Sequence, residues 1–200
     1  MMGYAKRLQN KEFCKQIEDL IQVGLWRYQD KFDRKQVTEG PFVLYEKYSR
    51  RDVSLLMNCG RDLSSIMYGM KRIGDDVFIF VTYHKVDAKS DELQYAEGKP
   101  DYADAFEDNL IFKWDSQIGK GLESSYMQDV LGATRKHLLV KKSDAETNFY
   151  YMGEFDVMEA KNAQKEDNRG RMQPITKVTM RMHHAVREDL LRYLQSNITA

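Results

Sequence analysis

The chain has 200 residues, of which 42% are hydrophobic and 12% aromatic, so it is long and apolar enough to form one sizeable packed domain. Its 31 basic and 31 acidic residues cancel, which excludes a uniformly basic nucleic-acid-binding protein. The charge is uneven along the chain: residues 87–115 carry nine acidic and three basic residues, and residues 135–187 carry eleven basic and seven acidic ones. A neutral total therefore leaves room for a local charged surface.

Cysteine and histidine usage argues against a structural metal site. Cys14 and Cys59 are the only cysteines, they form no CxxC pair, and the four histidines are scattered. The adjacent His183 and His184 would point to opposite faces of a strand, so one ion does not easily reach both. The sequence shows no signal peptide and no apolar run near ~18 residues. We therefore expect a cytoplasmic protein with no membrane segment, metal or cofactor.

The first predicted element is a helix over residues 10–28. Apolar residues recur there at three- and four-residue steps and form one stripe, made of Phe13, Ile17, Leu20, Ile21, Leu25 and Tyr28. Asn10 has the side chain of an N-cap. Residues 29–41 are polar and end in a Gly-Pro pair, which predicts a loop.

A short strand and a capped helix follow. Residues 42–46 predict the strand, and Ser49 is the predicted N-cap of the helix, with Asp52 at its third position as in a capping box. Arg50 and Arg51 lie in the first turn of this helix, where the helix dipole makes cations unfavourable. Such a departure from a local rule favours a functional use for the two arginines.

The rest of the chain is mostly strands. Residues 65–73 and 76–84 predict a hairpin around a Gly-Asp turn. The polar and acidic residues 86–109 predict a long loop, and loops of this length are usually functional or disordered. Further strands are predicted over 110–114, 137–142, 148–160 and 174–183, with a short helix over 124–131, a charged loop between the last two strands and a closing helix over 187–195.

These elements favour an α+β fold with a curved, mainly antiparallel sheet or a small barrel. Strands outnumber helices in the middle of the chain, and several of them are linked as hairpins. We divide the chain into an N-terminal helix and linker, residues 1–40, and a strand-rich domain, residues 41–200.

The sequence contains no familiar catalytic motif, neither a glycine-rich nucleotide loop nor HExxH or GxSxG. We therefore expect no enzymatic activity. The lysine- and acid-rich stretches around residues 141–171 resemble fragments of nuclease motifs. They lack a matching partner motif and are typical of solvated charged loops. A nuclease built on these stretches stays as a third hypothesis.

Aromatic and basic residues interleave near the predicted strand ends. The aromatic ones are Tyr45, Tyr48, Tyr68, Tyr83, Tyr95, Tyr102 and Trp114, and the basic ones are Lys47, Arg50, Arg51, Lys71, Arg72 and Lys85. Aromatic faces with nearby cations suit base stacking combined with phosphate neutralisation. Tyrosine is also common on half-buried strands that bind nothing, so the pattern alone leaves both interpretations open.

Four segments, taken in order, resemble one bacterial family. They are LYEKYSRRDVSLLMN, MYGMKRIGDDVFIFVTYHK, YADAFEDNLIFKWDSQ with LESS after it, and HLLVKKSDAETNFYYMGEF, together spanning residues 42–195. The family is a domain of unknown function that commonly forms the C-terminal part of proteins with a phospholipase-D-type nuclease and a DEAD-box helicase. SauUSI-type modification-dependent restriction enzymes are similar. The resemblance implies a PUA-like fold, as in SRA and EVE domains.

The resemblance also implies a function, which is target recognition in a restriction or anti-phage system. Such a domain reads modified cytosine, 5-methyl or 5-hydroxymethyl, in duplex DNA and flips the base into an aromatic pocket. The implied pocket residues are Tyr68, Tyr83 and Trp114 for stacking, and His84, Asp104 and Ser116 for the base edge. The implied phosphate-binding residues are Arg50, Arg51, Lys85 and Lys141. Helicase and nuclease domains, in cis or in trans, are the implied protein partners.

The alternative hypothesis is a coupling or protein-interaction domain that contacts no base. It is favoured by the acidic tract and by the apolar stripe of the N-terminal helix.

Overall fold

A computed structural model describes residues 6–29, 40–84, 104–167 and 169–196. The chain divides into two compact units, residues 1–43 and residues 44–200. Each unit is described by itself. None of the described helices is long and apolar enough to cross a membrane.

The N-terminal unit contains one long helix, α1 (Lys11–Tyr28). The side chain of Asn10 accepts hydrogen bonds from the backbone N–H groups of Glu12 and Phe13, at 2.9 and 3.2 Å. The predicted helix and its N-cap are therefore confirmed. Several large apolar side chains of α1 are at least half exposed, namely Leu20, Ile21, Val23, Leu25 and Trp26.

The second unit contains eight described strands, three α-helices and a short 3₁₀ helix at Ser64–Ile66. The strands are β1 (Lys47–Tyr48), β2 (Met70–Ile73), β3 (Asp76–His84), β4 (Ala105–Phe106), β5 (Ile111–Asp115), β6 (Arg135–Ser143), β7 (Phe149–Glu166) and β8 (Met172–Met182). The helices are α2 (Arg50–Leu56), α3 (Ser125–Leu131) and α4 (Glu188–Gln195). The predicted hairpin is the β2–β3 pair, but its first strand begins at Met70 and not at residue 65, because a 3₁₀ helix occupies Ser64–Ile66. The predicted short and closing helices are α3 and α4.

The strands form one sheet in the order β2-β3-β6-β7-β8-β5-β4, with β1 pairing against β7. All neighbours are antiparallel except β3 and β6, which are parallel. The order ends at β2 and β4, so the sheet is open. This confirms the predicted α+β fold with a mainly antiparallel sheet, in its open form.

A contact between distant strands shows that the sheet is strongly curved. The backbone N–H of Phe106, on the edge strand β4, lies 3.4 Å from the hydroxyl oxygen of Tyr83 on β3. These two strands are separated by four others in the sheet order. The sheet therefore curls until its two ends face each other across the core.

The core lies inside this curl. The second half of β8 alternates, because Thr176, Val178, Met180 and Met182 are buried while Lys177 and Arg181 are exposed. Met127 and Val130 of α3 and Leu190 of α4 pack into the same apolar cluster. Both helices therefore help to close the inner side of the sheet.

Two sequence predictions about local structure were wrong. Residues 42–46 do not form a strand, since the first strand is Lys47–Tyr48 and Tyr45 has a positive φ of 66° that interrupts extended backbone. The predicted charged loop between the last two strands is mostly strand, because β7 continues to Glu166 and β8 begins at Met172. This part of the ribbon is largely exposed, so its sequence carries no apolar alternation.

A buried polar network crosses the middle of the sheet. The His137 ring nitrogens lie 2.8 Å from a carboxylate oxygen of Asp76 and 2.9 Å from the Tyr151 hydroxyl. Arg135 pairs with the same carboxylate at 2.8 Å, and the ring of Phe78 stacks on His137. Asp76, His137 and Tyr151 are almost fully buried. The network therefore holds the starts of β3 and β6 in register with β7.

The network makes the stability of the fold acid-sensitive. Burial lowers the pKa of His137. Burial alone would raise the pKa of Asp76, but hydrogen bonds from Arg135 and His137 outweigh it and lower that pKa. Below a pH of about 6.5 an unfolded histidine binds a proton that the folded His137 does not, so stability falls. The contribution of Asp76 is complete above about pH 4 and is lost at still lower pH.

We therefore expect the free energy of unfolding in urea to be lower at pH 5.5 than at pH 7.5. His137→Gln should reduce this difference, while the control His183→Gln should keep it, because His183 is exposed. A wild-type protein that is more stable at pH 5.5 would mean that folded His137 is protonated, and it would contradict this account.

Candidate nucleic-acid interface

Several residues predicted to form the base pocket lie together at the C-terminal end of β5 and in the segments beside it. Trp114 lies on the core side of β5 with 4% of its surface exposed, and its ring stacks on Tyr126 of α3 with centroids 6.4 Å apart and planes 24° apart. Asp104, just before β4, accepts a hydrogen bond from the backbone N–H of Asp115 at 2.9 Å. We call Tyr68, Asp104, Trp114, Ser116, Gln117 and Tyr126 the Trp114 site.

Ser116 fixes the loop that leaves β5. Its hydroxyl donates to the backbone oxygen of Lys120 at 2.6 Å and accepts from the backbone N–H of Thr176 at 2.8 Å. The side chain is almost fully buried. In this structure Ser116 therefore ties β5 to β8 beside Trp114, and its predicted contact with a base edge stays a prediction.

Gln117 connects this loop to the approach of β2. Its side-chain N–H donates to the backbone oxygen of Tyr68 at 3.1 Å. Gly69 has a φ of 71°, and a Cβ on it would lie 2.5 Å from Nε2 of Gln117 and 3.1 Å from the hydroxyl of Tyr126. Only glycine fits so close an approach without a shift of Gln117. Tyr68 is thereby held at the rim of the Trp114 site with 64% of its surface exposed.

A second group of predicted residues adjoins Tyr68. The guanidinium of Arg50 lies 5.2 Å from the ring centre of Tyr68 and 5.1 Å from that of Phe149, within cation–π range. The Nε atom of Arg50 is buried and has no hydrogen-bond partner in the described structure. The ammonium of Lys141 lies 5.4 Å from the same Phe149 ring and pairs with Asp144 at 3.1 Å. We call Arg50, Lys141, Tyr68 and Phe149 the cationic cluster.

The N-terminus of α2 explains the position of Arg50. Ser49 and Asp52 form the predicted capping box, with the Ser49 hydroxyl accepting from the Asp52 backbone and the Asp52 carboxylate accepting from the Ser49 backbone. This box fixes the first turn, so that Arg50 turns toward the sheet and Arg51 toward solvent. The Arg51 side chain is 70% exposed and lies 3.6 Å from Asp62. Lys85, another predicted phosphate contact, lies outside the described residues.

Tyr83 and His84 lie at the end of β3 with their ring centroids 5.3 Å apart, in an edge-to-face arrangement. Tyr83 is buried in the core. The Nε2 atom of His84 donates to the backbone oxygen of Leu194 at 2.8 Å, which attaches β3 to α4. In this structure both side chains join elements of the fold, and their roles in a base pocket stay predictions.

Tyr126 and Gln117 belong to the Trp114 site, but no sequence pattern selects them. Tyr126 lies in a short helix whose only clear signal is its N-cap, Ser124, which accepts from the backbone of Met127. Burial, and secondarily the nearby Asp104 carboxylate, raise the pKa of Tyr126. Its hydroxyl is therefore protonated at neutral pH.

The described residues contain no cluster of three or more histidine, cysteine, aspartate or glutamate side chains that could hold a metal ion. The predicted acidic tract, 87–115, is described only from Asp104 onward. In that part, Glu107 pairs with Lys113 at 3.0 Å.

Fold and site together define a small α+β domain with a strongly curved sheet, in which the exposed Tyr68 joins the largely buried Trp114 site to the cationic cluster. Residues 42–194 match the family described as a domain of unknown function, DUF3427, and the chain belongs to this family. The matched range is nearly the range over which the sequence resemblance was drawn. No curated protein matches the chain.

Three solved structures are similar in shape at low sequence identity. SUVH6 of Arabidopsis thaliana, in complex with SAM, has 13% identity and a TM-score of 0.44, over 88% of this chain and 33% of that one. The sulfur-binding and SRA domains of ScoMcrA, complexed with phosphorothioated DNA, have 8% identity and a TM-score of 0.40, over 78% and 45%. The MspJI restriction endonuclease with a 27-mer oligonucleotide has 10% identity and a TM-score of 0.35, over 64% and 40%. The chain thus spans less than half the length of each.

Proposed function

We propose that the second unit is a DNA-binding target-recognition domain that reads modified cytosine by taking the base out of the duplex. The observation that carries the proposal is spatial. Arg50, Tyr68, Asp104 and Trp114 come from separate stretches of sequence. Tyr68 lies against Arg50 and its backbone oxygen accepts from Gln117, three residues after Trp114, while Asp104 accepts from the backbone of Asp115, next to Trp114. Aromatic rings, one carboxylate and one cation are the groups that such a reader needs.

In the proposed mechanism, the Trp114 site binds the extruded base and the cationic cluster binds the DNA backbone. Extruding a base costs a few kcal/mol of stacking and pairing, and stacking on an aromatic side chain returns about 1–3 kcal/mol. A carboxylate accepts from the exocyclic amino group of cytosine, which assigns that contact to Asp104. The cationic cluster contacts the backbone phosphates and sets position without reading sequence.

The family resemblance alone supports a role for this domain within a larger restriction protein. We propose that the domain acts with helicase and nuclease domains, in cis or in trans, in a restriction or anti-phage protein of the SauUSI type, and that it has no catalytic activity itself. ScoMcrA is named with phosphorothioated DNA and MspJI with a 27-mer oligonucleotide, which agrees with a nucleic-acid ligand.

Fluorescence anisotropy with labelled duplexes tests the proposal. The duplexes share one sequence and differ at one central position, which holds cytosine, 5-methylcytosine or 5-hydroxymethylcytosine. We expect tighter binding to at least one modified duplex, and binding that weakens steeply with salt. Equal and weak affinity for all three duplexes would overturn the proposal.

Arg50 provides a prediction about the phosphate contact. Arg50→Gln should weaken binding to modified and unmodified duplexes by the same factor, and it should reduce the slope of log affinity against log salt by about 1. Arg169→Gln, an exposed arginine in the β7–β8 turn, is the matched control and should change little. A salt slope that Arg50→Gln leaves unchanged would remove Arg50 from the phosphate contacts.

A second candidate function is coupling to a partner protein without base recognition. The exposed apolar side chains of α1 favour it, because residues such as Leu20 and Trp26, 68% and 64% exposed, are of the kind that partner helices cover. A size-exclusion run with a helicase fragment separates the two functions. Co-elution that depends on α1, together with no preference among the three duplexes, would favour coupling alone.

A further inference from the structure

The hydroxyl of Tyr126 is a buried polar group that the fold does not use. It is almost inaccessible to water and has no hydrogen-bond partner among the described residues, a condition it shares with a single other side-chain atom, Nε of Arg50. Buried hydroxyl groups are nearly always paired, because leaving one unpaired is unfavourable. An exception beside a candidate binding site points to a ligand that supplies the missing partner.

The surroundings of this hydroxyl narrow the kind of ligand. The ring of Tyr126 stacks on Trp114, which fixes its plane. The hydroxyl lies beside the backbone of Gly69, where an added Cβ would be 3.1 Å away. The Asp104 carboxylate is near enough to raise the pKa of the phenol. The Tyr126 hydroxyl, a donor, therefore lies on a ring stacked against Trp114, and Asp104, an acceptor, is held at the backbone of Asp115, the residue after Trp114.

The donor of Tyr126 and the acceptor of Asp104 are complementary to the acceptor and the donor on the Watson–Crick edge of cytosine. Cytosine presents an amino donor at N4 beside an unprotonated acceptor at N3, whereas thymine presents an acceptor at O4 beside a donor at N3. A carboxylate accepts only, and a protonated tyrosine can donate. Thymine would face each of these groups with the wrong partner.

We propose that the Tyr126 hydroxyl is a specificity-determining donor to N3 of an extruded cytosine, while Asp104 accepts from N4. The inference rests on the proposed function and deepens it, because it states how the site separates 5-methylcytosine from thymine. The two bases carry the same methyl group and differ only at this edge.

Tyr126→Phe tests the proposal in the full chain. Anisotropy is measured on two duplexes that carry 5-methylcytosine paired with guanine, or thymine paired with adenine, at the same position. Affinity for the 5-methylcytosine duplex should fall about ten-fold, the usual effect of losing one buried hydrogen bond, while affinity for the thymine duplex stays unchanged. The melting temperature of the free protein should stay the same or rise, since the variant removes an unpaired buried hydroxyl.

Tyr193→Phe is the matched control. It removes a hydroxyl that donates to Glu146 at 3.0 Å, outside the Trp114 site, and it should leave the preference between the duplexes unchanged.

Each other outcome overturns the inference in a recognisable way. A preference for 5-methylcytosine over thymine that Tyr126→Phe leaves intact would show that the hydroxyl meets water and reads nothing. Equal losses on both duplexes together with a lower melting temperature would show a structural role. A wild-type protein with no preference for modified over unmodified cytosine would instead overturn the proposed function, and the inference with it.

Discussion

Replacing Asp76 with alanine is expected to lower the free energy of unfolding by about 3 kcal/mol, since it removes the acceptor of a buried charged network. The variant leaves Nε2 of His137 buried without its 2.8 Å partner. It also leaves Arg135 without its carboxylate. Because the Arg135 side chain is 47% exposed, water can solvate it, and this keeps the loss at the lower end of the range for broken buried pairs.

Urea unfolding of Asp76→Ala beside Asp75→Ala measures this effect. Asp75 precedes Asp76 in the β2–β3 turn and its side chain is exposed, so the control should change stability by less than about 0.5 kcal/mol. Similar small losses in both variants would show that the network contributes little to stability.

Replacing Asp104 with asparagine should lower affinity for modified DNA by about ten- to a hundred-fold, the range expected for a hydrogen bond to a charged group. The direction is informative. Removing a negative charge near DNA strengthens binding if the charge acts only at a distance. Loss of affinity for the modified duplex, with unchanged or tighter binding of the unmodified one, therefore assigns Asp104 to direct contact with the base.

Glu107→Gln is the control for Asp104→Asn in the same anisotropy experiment. Glu107 lies three residues after Asp104, and its exposed side chain pairs with Lys113. The variant therefore removes one negative charge close to Asp104 in the sequence. Binding of both duplexes should stay equal or tighten slightly. If Asp104→Asn tightens binding to both duplexes as Glu107→Gln does, Asp104 does not contact the base.

The fold could be predicted where burial follows the period of an element. β8 alternates buried and exposed residues from Thr176 onward, and α1 begins at a clear cap. The far end of the β7–β8 ribbon was missed because solvent covers it on both sides and no alternation remains. The parallel pairing of β3 with β6 joins segments about fifty residues apart, and no local signal encodes it.

The candidate site was predictable in part for a similar reason. Trp114 was predicted at the end of a strand, and Arg50 departs from the helix-dipole preference at a helix start, whereas Asp104 was implied only by the family resemblance. Tyr126 could not be selected, because its significance depends on a stacking contact with Trp114 and on a missing hydrogen bond, and both are tertiary. Likewise, no local signal in β3 could show that α4 accepts the His84 hydrogen bond.

The fluorescence of Trp114 tests the central proposal most directly, which is that a modified base is taken into the Trp114 site. The chain has two tryptophans, so Trp26→Phe, an exposed position in α1, leaves Trp114 as the only reporter. Saturating 5-methylcytosine duplex should quench or shift the Trp114 emission, because a base then lies against the aromatic pair. The unmodified duplex at the same fractional saturation should leave the emission unchanged. Identical emission with both duplexes, at concentrations at which anisotropy shows that both are bound, would contradict recognition of the base at this site.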